Sequence, residues 1–182
     1  MKIAEKGVFP LKTTKILRPA LITAAVAVLF VSVYLILSAA LKEPQPQPAM
    51  DITGPTQDGT LFSLLDNKGE RGTLLIFFNH DTGKAIHAMA QISEIAPEYE
   101  TVDIVAVATG KGTIEEQIAI MKENGITVFP HTLFDLDGEM AKTYNVTGTP
   151  VLYFIDKNGM VTDDYLAVIS DKSLRKELAA IA

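Results

Sequence analysis

The sequence TLLIFFNHDTGKAIHAM, residues 73–89, decides how the chain folds. It begins with an unbroken apolar run, Leu74–Phe78, which has the length and composition of a strand buried on both faces. A short polar loop follows, and from Ala85 onward apolar residues recur at helical spacing. Asp81 or Thr82 can cap the first turn of that helix. The stretch therefore predicts a central strand, a tight loop, and a helix that starts where the strand ends.

Strands and helices alternate on both sides of this unit. Ahead of it, the Asp58-Gly59 step between two short apolar runs predicts a β-hairpin within residues 51–65. After its helix, which is expected to end near residues 97–99, the predicted elements are a strand at 102–108, a helix at 113–124, an extended segment at 127–134, a short helix at 137–144, strands at 149–155 and 160–168, and a helix at 171–182. This order predicts an α/β fold in which helices flank a mixed central sheet.

The N-terminal region contains a predicted membrane span. Residues 20–41 carry no charge, and as a helix they would be about 33 Å long, close to the ~30 Å of a bilayer core. A cleaved signal peptide is the competing interpretation because Ser38-Ala39-Ala40 resembles a cleavage site, although signal-peptide apolar cores are shorter, at about 7–15 residues. Five basic residues precede the span, which predicts a cytoplasmic N-terminus and a periplasmic or extracellular C-terminal domain.

A proline-rich segment follows the predicted span. In Glu43–Met50, EPQPQPAM, proline alternates with glutamine, which is typical of an extended, semi-rigid spacer. We therefore expect the chain to be organised as a basic cytoplasmic tail at 1–18, a single transmembrane anchor at 19–41, a linker at 42–55 and a folded domain at 56–182.

Charge and cysteine content exclude several functions. Residues 1–18 carry a net charge of +4 out of −6 for the whole chain, so the remainder carries −10, which argues against a nucleic-acid partner. The chain has no cysteine. It therefore cannot form disulfides, use a thiol nucleophile or bind a metal through thiolates.

Beyond these patterns, the chain resembles a known family in three segments. They are Gln57–Leu64 (QDGTLFSL), Phe134–Pro150 (FDLDGEMAKTYNVTGTP) and Val151–Gly159 (VLYFIDKNG). Their order and composition resemble the membrane-anchored thioredoxin-like proteins of the TlpA/redoxin type over about residues 51–182. The resemblance implies a thioredoxin-like fold, with Pro150 in the cis form beside the N-terminus of the helix that begins near Thr82.

The chain departs from this family at the reactive site. The family's W-C-x-x-C pattern falls on residues 81–85, where Thr82 and Ala85 replace the two cysteines and Asp81 replaces the aromatic residue. The position of the family's buried acid is Ala88. We therefore interpret the four residues across the former redox motif, Thr82, Gly83, Lys84 and Ala85, as vestigial, with no catalytic residue and no cofactor.

Two other chemistries can be considered for this segment. Thr82 could act as a nucleophile only with an adjacent base, and His80 is the nearest candidate, without a recognisable third group to orient it. The histidines, His80, His87 and His131, could bind a metal, but His80 and His87 are seven residues apart and too distant to share an ion if both were helical. We expect them to be surface or capping residues.

The sequence thus favours a binding function over catalysis. In the thioredoxin-like fold, the backbone beside the cis proline can pair with an extended peptide. Thr149 and Pro150 would supply that backbone, opposite a lip formed by His80, Asp81, Thr82, Gly83 and Lys84. The hypothesis is a membrane-tethered, redox-inactive domain that binds a protein or peptide during envelope or respiratory-complex assembly. The alternatives are a thiol–disulfide oxidoreductase, by family membership, and a cysteine-independent metal-handling protein.

Overall fold

The computed structural model describes residues 28–34 and 46–182. Residues 28–34 are helical, and Gln45–Ala182 forms one compact unit. Within the described part of the chain, no helix is long and apolar enough to cross a membrane. The basic tail and most of the predicted span at 20–41 lie outside the described residues.

The strands of the compact unit are β1 Gln47–Pro48, β2 Thr53–Pro55, β3 Leu61–Ser63, β4 Gly72–Phe78, β5 Val102–Ala108, β6 His131–Phe134, β7 Val151–Ile155 and β8 Met160–Leu166. Six of them form one sheet with the order β1-β8-β7-β4-β5-β6. Strand β4 is parallel to β5 and antiparallel to β7, so the predicted mixed α/β sheet is confirmed. A separate hairpin, β2–β3, precedes β4 at the predicted Asp58-Gly59 turn. The helices are α1 Leu64–Asn67, α2 Gly83–Ile95, α3 Ile114–Glu123, α4 Glu139–Thr143 and α5 Asp171–Ile181.

Strand β4 is the centre of the core, and all of its residues are buried. Because successive side chains on a strand point to opposite faces, β4 contributes to two separate apolar clusters. Leu74, Ile76 and Phe78 pack with residues of α2 and α5 on one face. Leu75 and Phe77 pack on the other face with residues that include Leu64, Val105 and Tyr144. The apolar run Leu74–Phe78 within β4 is explained by this burial on both sides.

Local capping signals place the helices that the sequence predicts. Thr82 caps α2 by accepting a hydrogen bond from the backbone N–H of Ala85. Helix α3 begins with a capping box, in which Thr113 and Glu116 bond each other's backbone N–H groups. Ser170 caps α5 by accepting a hydrogen bond from the N–H of Ser173. These contacts lie within four residues of sequence, so they are readable without tertiary information.

The folded unit begins earlier than the linker prediction of 42–55 allows. Gln47 and Pro48 pair with Val161 and Met160 as strand β1, and the N–H of Ala49 donates to the carbonyl of Gly159 at 2.8 Å. Backbone N–H groups along a strand point alternately to its two sides, so the N–H of Gln47 points toward β8 as that of Ala49 does. The ring nitrogen of Pro48, which has no hydrogen, therefore points away from β8. Proline is compatible with an edge strand in this orientation.

A buried tyrosine also fastens the chain just after β1. The hydroxyl of Tyr144 donates to the carbonyl oxygen of Met50 at 2.7 Å, and Ile52 is buried in the same cluster. Burial raises the pKa of Tyr144 well above its ordinary value, so the hydroxyl stays protonated as a donor. Residues 46–55 are therefore part of the domain and not of a spacer.

Asp135, which follows β6, organises the turn that leads into α4. Its carboxylate accepts hydrogen bonds from the N–H groups of Met140, at 3.1 Å, and Ala141, at 2.8 Å. Asp135 is only 5% exposed. The carboxylate of Asp135 supplies the hydrogen-bond acceptors that N–H groups in the first turn of α4 lack within the helix. It thereby holds α4 against the end of the sheet.

Candidate functional site

The candidate site lies where β4 ends and β7 begins. Because β4 and β7 are antiparallel with Phe77 opposite Val151, the register continues with Pro150 opposite Phe78. Thr109 closes the neighbouring end of β5, where its N–H and hydroxyl both donate to the carbonyl oxygen of Phe78, at 2.9 Å and 3.1 Å. The loops after β4 and β5 and the loop before β7 therefore meet at one end of the sheet.

The peptide bond between Thr149 and Pro150 is cis, as the family resemblance predicts. Pro150 is buried, whereas Thr149 and Gly148 are half-buried. Gly148 and Thr149 are thus partly accessible to solvent next to the cis proline.

The N-terminus of α2 carries residues 82–85, onto which the family resemblance places the redox motif. The hydroxyl of Thr82 donates to the carbonyl of Asn79 at 3.1 Å and accepts from the N–H of Ala85 at 3.3 Å. Gly83 and Lys84 are exposed, and Ala85 is fully buried. The Thr82 side chain therefore fixes the loop and the helix start, which is a structural role.

His80 differs from the surface or capping role expected for it. Its side chain is 1% exposed, and Nδ1 lies 2.9 Å from Oδ1 of Asp81. Its backbone carbonyl accepts a hydrogen bond from the side-chain amide of Asn124 at 3.2 Å. Nε2 is buried without a hydrogen-bond partner, and a Cβ built on Gly110 would lie only 1.9 Å from it. His80 is buried in this position because Gly110 has no side chain that would overlap the imidazole. It therefore supports the exposed part of the lip, residues 81–84, from the protein interior.

This geometry does not support a nucleophilic threonine. The orienting group that the sequence argument lacked is present, since Asp81 bonds the imidazole of His80. Neither ring nitrogen bonds Thr82, however, whose hydroxyl is already engaged with Asn79 and Ala85. A general base must lie within hydrogen-bonding reach of the proton it removes, so His80 does not activate Thr82 in this arrangement.

The three histidines lie in different environments. His87 is exposed on α2, and His131 on β6 stacks on Phe62 with ring centroids 4.6 Å apart. In residues 28–34 and 46–182, no group of three or more histidine, aspartate or glutamate side chains is arranged to hold a metal ion.

The structure adds residues to the site that sequence reasoning missed. Gly110 and Asn124 hold His80. Leu166 on β8 is a neighbour of the loop before β7 and not part of the site, with its Cδ1 3.7 Å from where a Cβ on Gly148 would be. The Gly110-Lys111-Gly112 sequence signals a tight loop after β5. Leu166 gives no signal in the sequence because exposure of a single leucine depends on tertiary context.

Gly110→Ala is expected to lower the free energy of unfolding by about 1–3 kcal/mol, because the new methyl group would overlap the buried imidazole of His80. Urea denaturation of the full-length variants measures the change. Gly83→Ala is the matched control, since nothing lies within 4 Å of a Cβ at Gly83. Equal stability of the two variants would contradict the packing described for His80.

Comparisons with known proteins agree with this architecture. The chain matches a putative thiol:disulfide interchange protein DsbE from Chlorobium tepidum with a TM-score of 0.66 and 20% identity, over 76% of this chain and 97% of that one. A pneumococcal exposed lipoprotein thioredoxin from Streptococcus pneumoniae matches with a TM-score of 0.60 and 21% identity, over 72% and 99% of the two chains. A secreted Mycobacterium tuberculosis disulfide oxidoreductase, homologous to Escherichia coli DsbE, matches with a TM-score of 0.57 and 20% identity, over 71% and 95%. At this level of identity the matches show the thioredoxin-like fold.

The sequence itself matches a protein-family model. No functionally curated protein is similar enough to count as a match. The model of the AhpC/TSA family, however, matches residues 46–163, from the start of the folded unit into β8. This match covers more than half of the chain and includes the strand, loop and helix of the candidate site. The chain therefore belongs to the AhpC/TSA family, in a form that carries no cysteine.

Proposed function

We propose that the protein is a membrane-tethered, extracytoplasmic thioredoxin-like domain that has no thiol redox chemistry and binds a partner. The partner is a protein or peptide that this domain holds during assembly of the cell envelope or of a respiratory complex. The proposal rests on one observation. The structural framework expected around the family's redox site is present, whereas the sulfur atoms of its two cysteines are absent.

The framework is kept in three details. Pro150 is cis and is positioned by the pairing of β7 with β4. Thr82 caps α2 at the former position of the first cysteine, and Ala85 fills the former position of the second within the core. His80 is locked beneath the loop by Asp81, Gly110 and Asn124. An ordered loop without a nucleophile suits recognition better than catalysis, because binding needs a preorganised surface only.

The binding surface in this proposal is a short groove. The half-buried backbone of Thr149 offers hydrogen-bonding groups to an extended peptide, as a sheet edge does. Asp81, Gly83 and Lys84 form the exposed lip, with Thr82 half-buried between them. His80 does not line the groove directly and instead holds the lip in position.

The tethering part of the proposal rests on the sequence. Residues 20–41 are uncharged and long enough to span a bilayer, and basic residues precede them. We expect the full-length protein to remain in the membrane pellet after alkaline carbonate extraction. A variant that starts at residue 45 should appear in the soluble fraction. Release of the full-length protein by carbonate would contradict the anchor.

Site-specific photocrosslinking in native membranes tests the binding function. A photoreactive residue replaces Lys84 on the lip, and a second variant carries it at Glu94, which is exposed farther along α2. We expect a discrete crosslinked product from position 84 only, and we expect Pro150→Ala to reduce its yield strongly. Mass spectrometry identifies the product. Equal yields from both positions, or a yield unaffected by Pro150→Ala, would refute binding at the groove.

The oxidoreductase alternative is tested separately. The native protein should give no turnover above background in an insulin-reduction assay, because thiol–disulfide exchange requires a thiolate and the chain has none. Measurable turnover would overturn the redox-inactive assignment.

A further inference from the structure

Beyond the groove, strand β8 offers a second surface that the proposed function does not use. β8 runs over seven residues, Met160–Leu166, but β1 pairs only with Met160 and Val161. Within residues 46–182, no strand pairs with Asp163–Leu166 on the side opposite β7. Among the described residues, the edge of the sheet therefore has no strand partner over this part of β8.

The backbone at this edge has the features of an unpaired strand. A β-bulge between Phe154 and Ile155 shifts the register of β8, and bulges at sheet edges redirect the residues that follow. The N–H of Asp164 donates to Oδ1 of the preceding residue, Asp163, at 2.9 Å. A local side-chain acceptor of this kind takes the place of a strand partner.

Side chains give the open edge a definite chemical character. Asp164 and Leu166 are two residues apart and are both exposed, so they lie on the same face of β8. Leu166 is 63% exposed despite its pairing opposite Val151. Ala167, which follows, has a φ of +139°, a strained value for a residue with a side chain and one of a kind that clusters at binding sites.

We propose that this edge, Asp163–Leu166, binds an extended segment of a partner protein in which a basic residue and an apolar residue are two positions apart. The basic residue lies against Asp164 and the apolar residue against Leu166. Charge complementarity supports this choice of partner, since the chain after residue 18 carries a net charge of −10. Strand β1, which comes from a segment of alternating glutamine and proline, already pairs with Met160 and Val161 at this edge of β8. The edge can therefore accept an extended segment. The proposal does not rest on the groove at Pro150.

Synthetic peptides and purified full-length protein in detergent test this surface. The probe is a seven-residue peptide of serine and threonine with arginine and leucine two positions apart, prepared in both orders. Fluorescence anisotropy measures its Kd. One comparison peptide has glutamate in place of arginine. Another carries N-methyl groups on alternate residues, which remove the donors needed for strand pairing.

We expect binding of the arginine peptide in one order, with Asp164→Lys weakening it by about tenfold or more. Leu166→Ser should also weaken it, whereas Glu94→Lys, an equal charge reversal on exposed α2, should leave Kd within about twofold. Circular dichroism confirms that the variants are folded. On binding, hydrogen exchange should slow at the amides of Asp164 and Leu166.

Three results would overturn the proposal. They are absence of binding by either arginine peptide at millimolar concentration, equal affinity for the glutamate or N-methylated peptide, and protection at residues 82–84 instead of at β8. Failure of this experiment leaves the photocrosslink from position 84 unaffected, so the two proposals fail separately.

Discussion

The double variant Thr82→Cys/Ala85→Cys is expected to reduce insulin at a rate clearly above that of the parent protein, which has no thiol. The hydroxyl of Thr82 already points at the N–H of Ala85, at 3.3 Å, so a sulfur at position 82 would sit at the N-terminus of α2. The helix dipole and this N–H lower the pKa of a thiol there and favour the reactive thiolate. A sulfur at buried position 85 would serve as the resolving group.

Two further variants make this result interpretable. Thr82→Cys alone should give no sustained turnover, because it lacks a second thiol to release a mixed disulfide. Gly83→Cys/Ile86→Cys moves the same pair by one residue and should be much less active, since neither position is the helix cap. If the shifted pair matched the first, the retained geometry at Thr82 would have no special chemical value.

Asp135→Ala is expected to lower the free energy of unfolding by about 2–4 kcal/mol, the largest stability effect that we predict. The substitution removes one buried carboxylate and leaves the N–H groups of Met140 and Ala141 without acceptors. Helix α4 also contributes Met140 to a core cluster, so loosening its first turn should disturb packing as well. Urea denaturation of the full-length protein measures the loss.

Asp137→Ala is the matched control for this prediction. Asp137 also accepts a backbone N–H of α4, from Glu139 at 3.1 Å, but it is exposed. Water can replace its carboxylate, so the expected cost is at most about 1 kcal/mol. Similar losses for both variants would show that burial of Asp135 is not what gives it its effect.

The sequence predicts those parts of the fold whose causes are local. Strand β4 is recognisable because burial on both faces demands a continuous apolar run, as in Leu74–Phe78. The cap of α2 at Thr82 and the box from Thr113 to Glu116 involve partners no more than three residues away. The redox-motif positions are a different case, because the resemblance to the family and not a local signal assigns them to residues 82–85, at the junction of β4 and α2.

Features that depend on distant partners could not be predicted. Strand β1 forms because Gln47 pairs with Val161, and no residue near Gln47 in the sequence indicates that pairing. His80 is buried because Gly110 makes room for it and Asn124 holds its carbonyl, and both come from other elements. The exposure of Leu166 likewise depends on other elements, since β1 pairs with Met160 and Val161 and no strand within residues 46–182 pairs with Leu166 on that side of β8.

Strand β1 has a consequence for how the molecule behaves at high concentration. Pro48 turns a nitrogen without hydrogen toward the outside, so this rim of the sheet lacks a donor for a neighbouring chain. Sheets that end in this way resist stacking edge to edge into fibrils. The point where the polypeptide enters the domain thus hinders edge-to-edge pairing over β1 alone, whereas Asp163–Leu166 remains the part of β8 proposed to receive an extended segment.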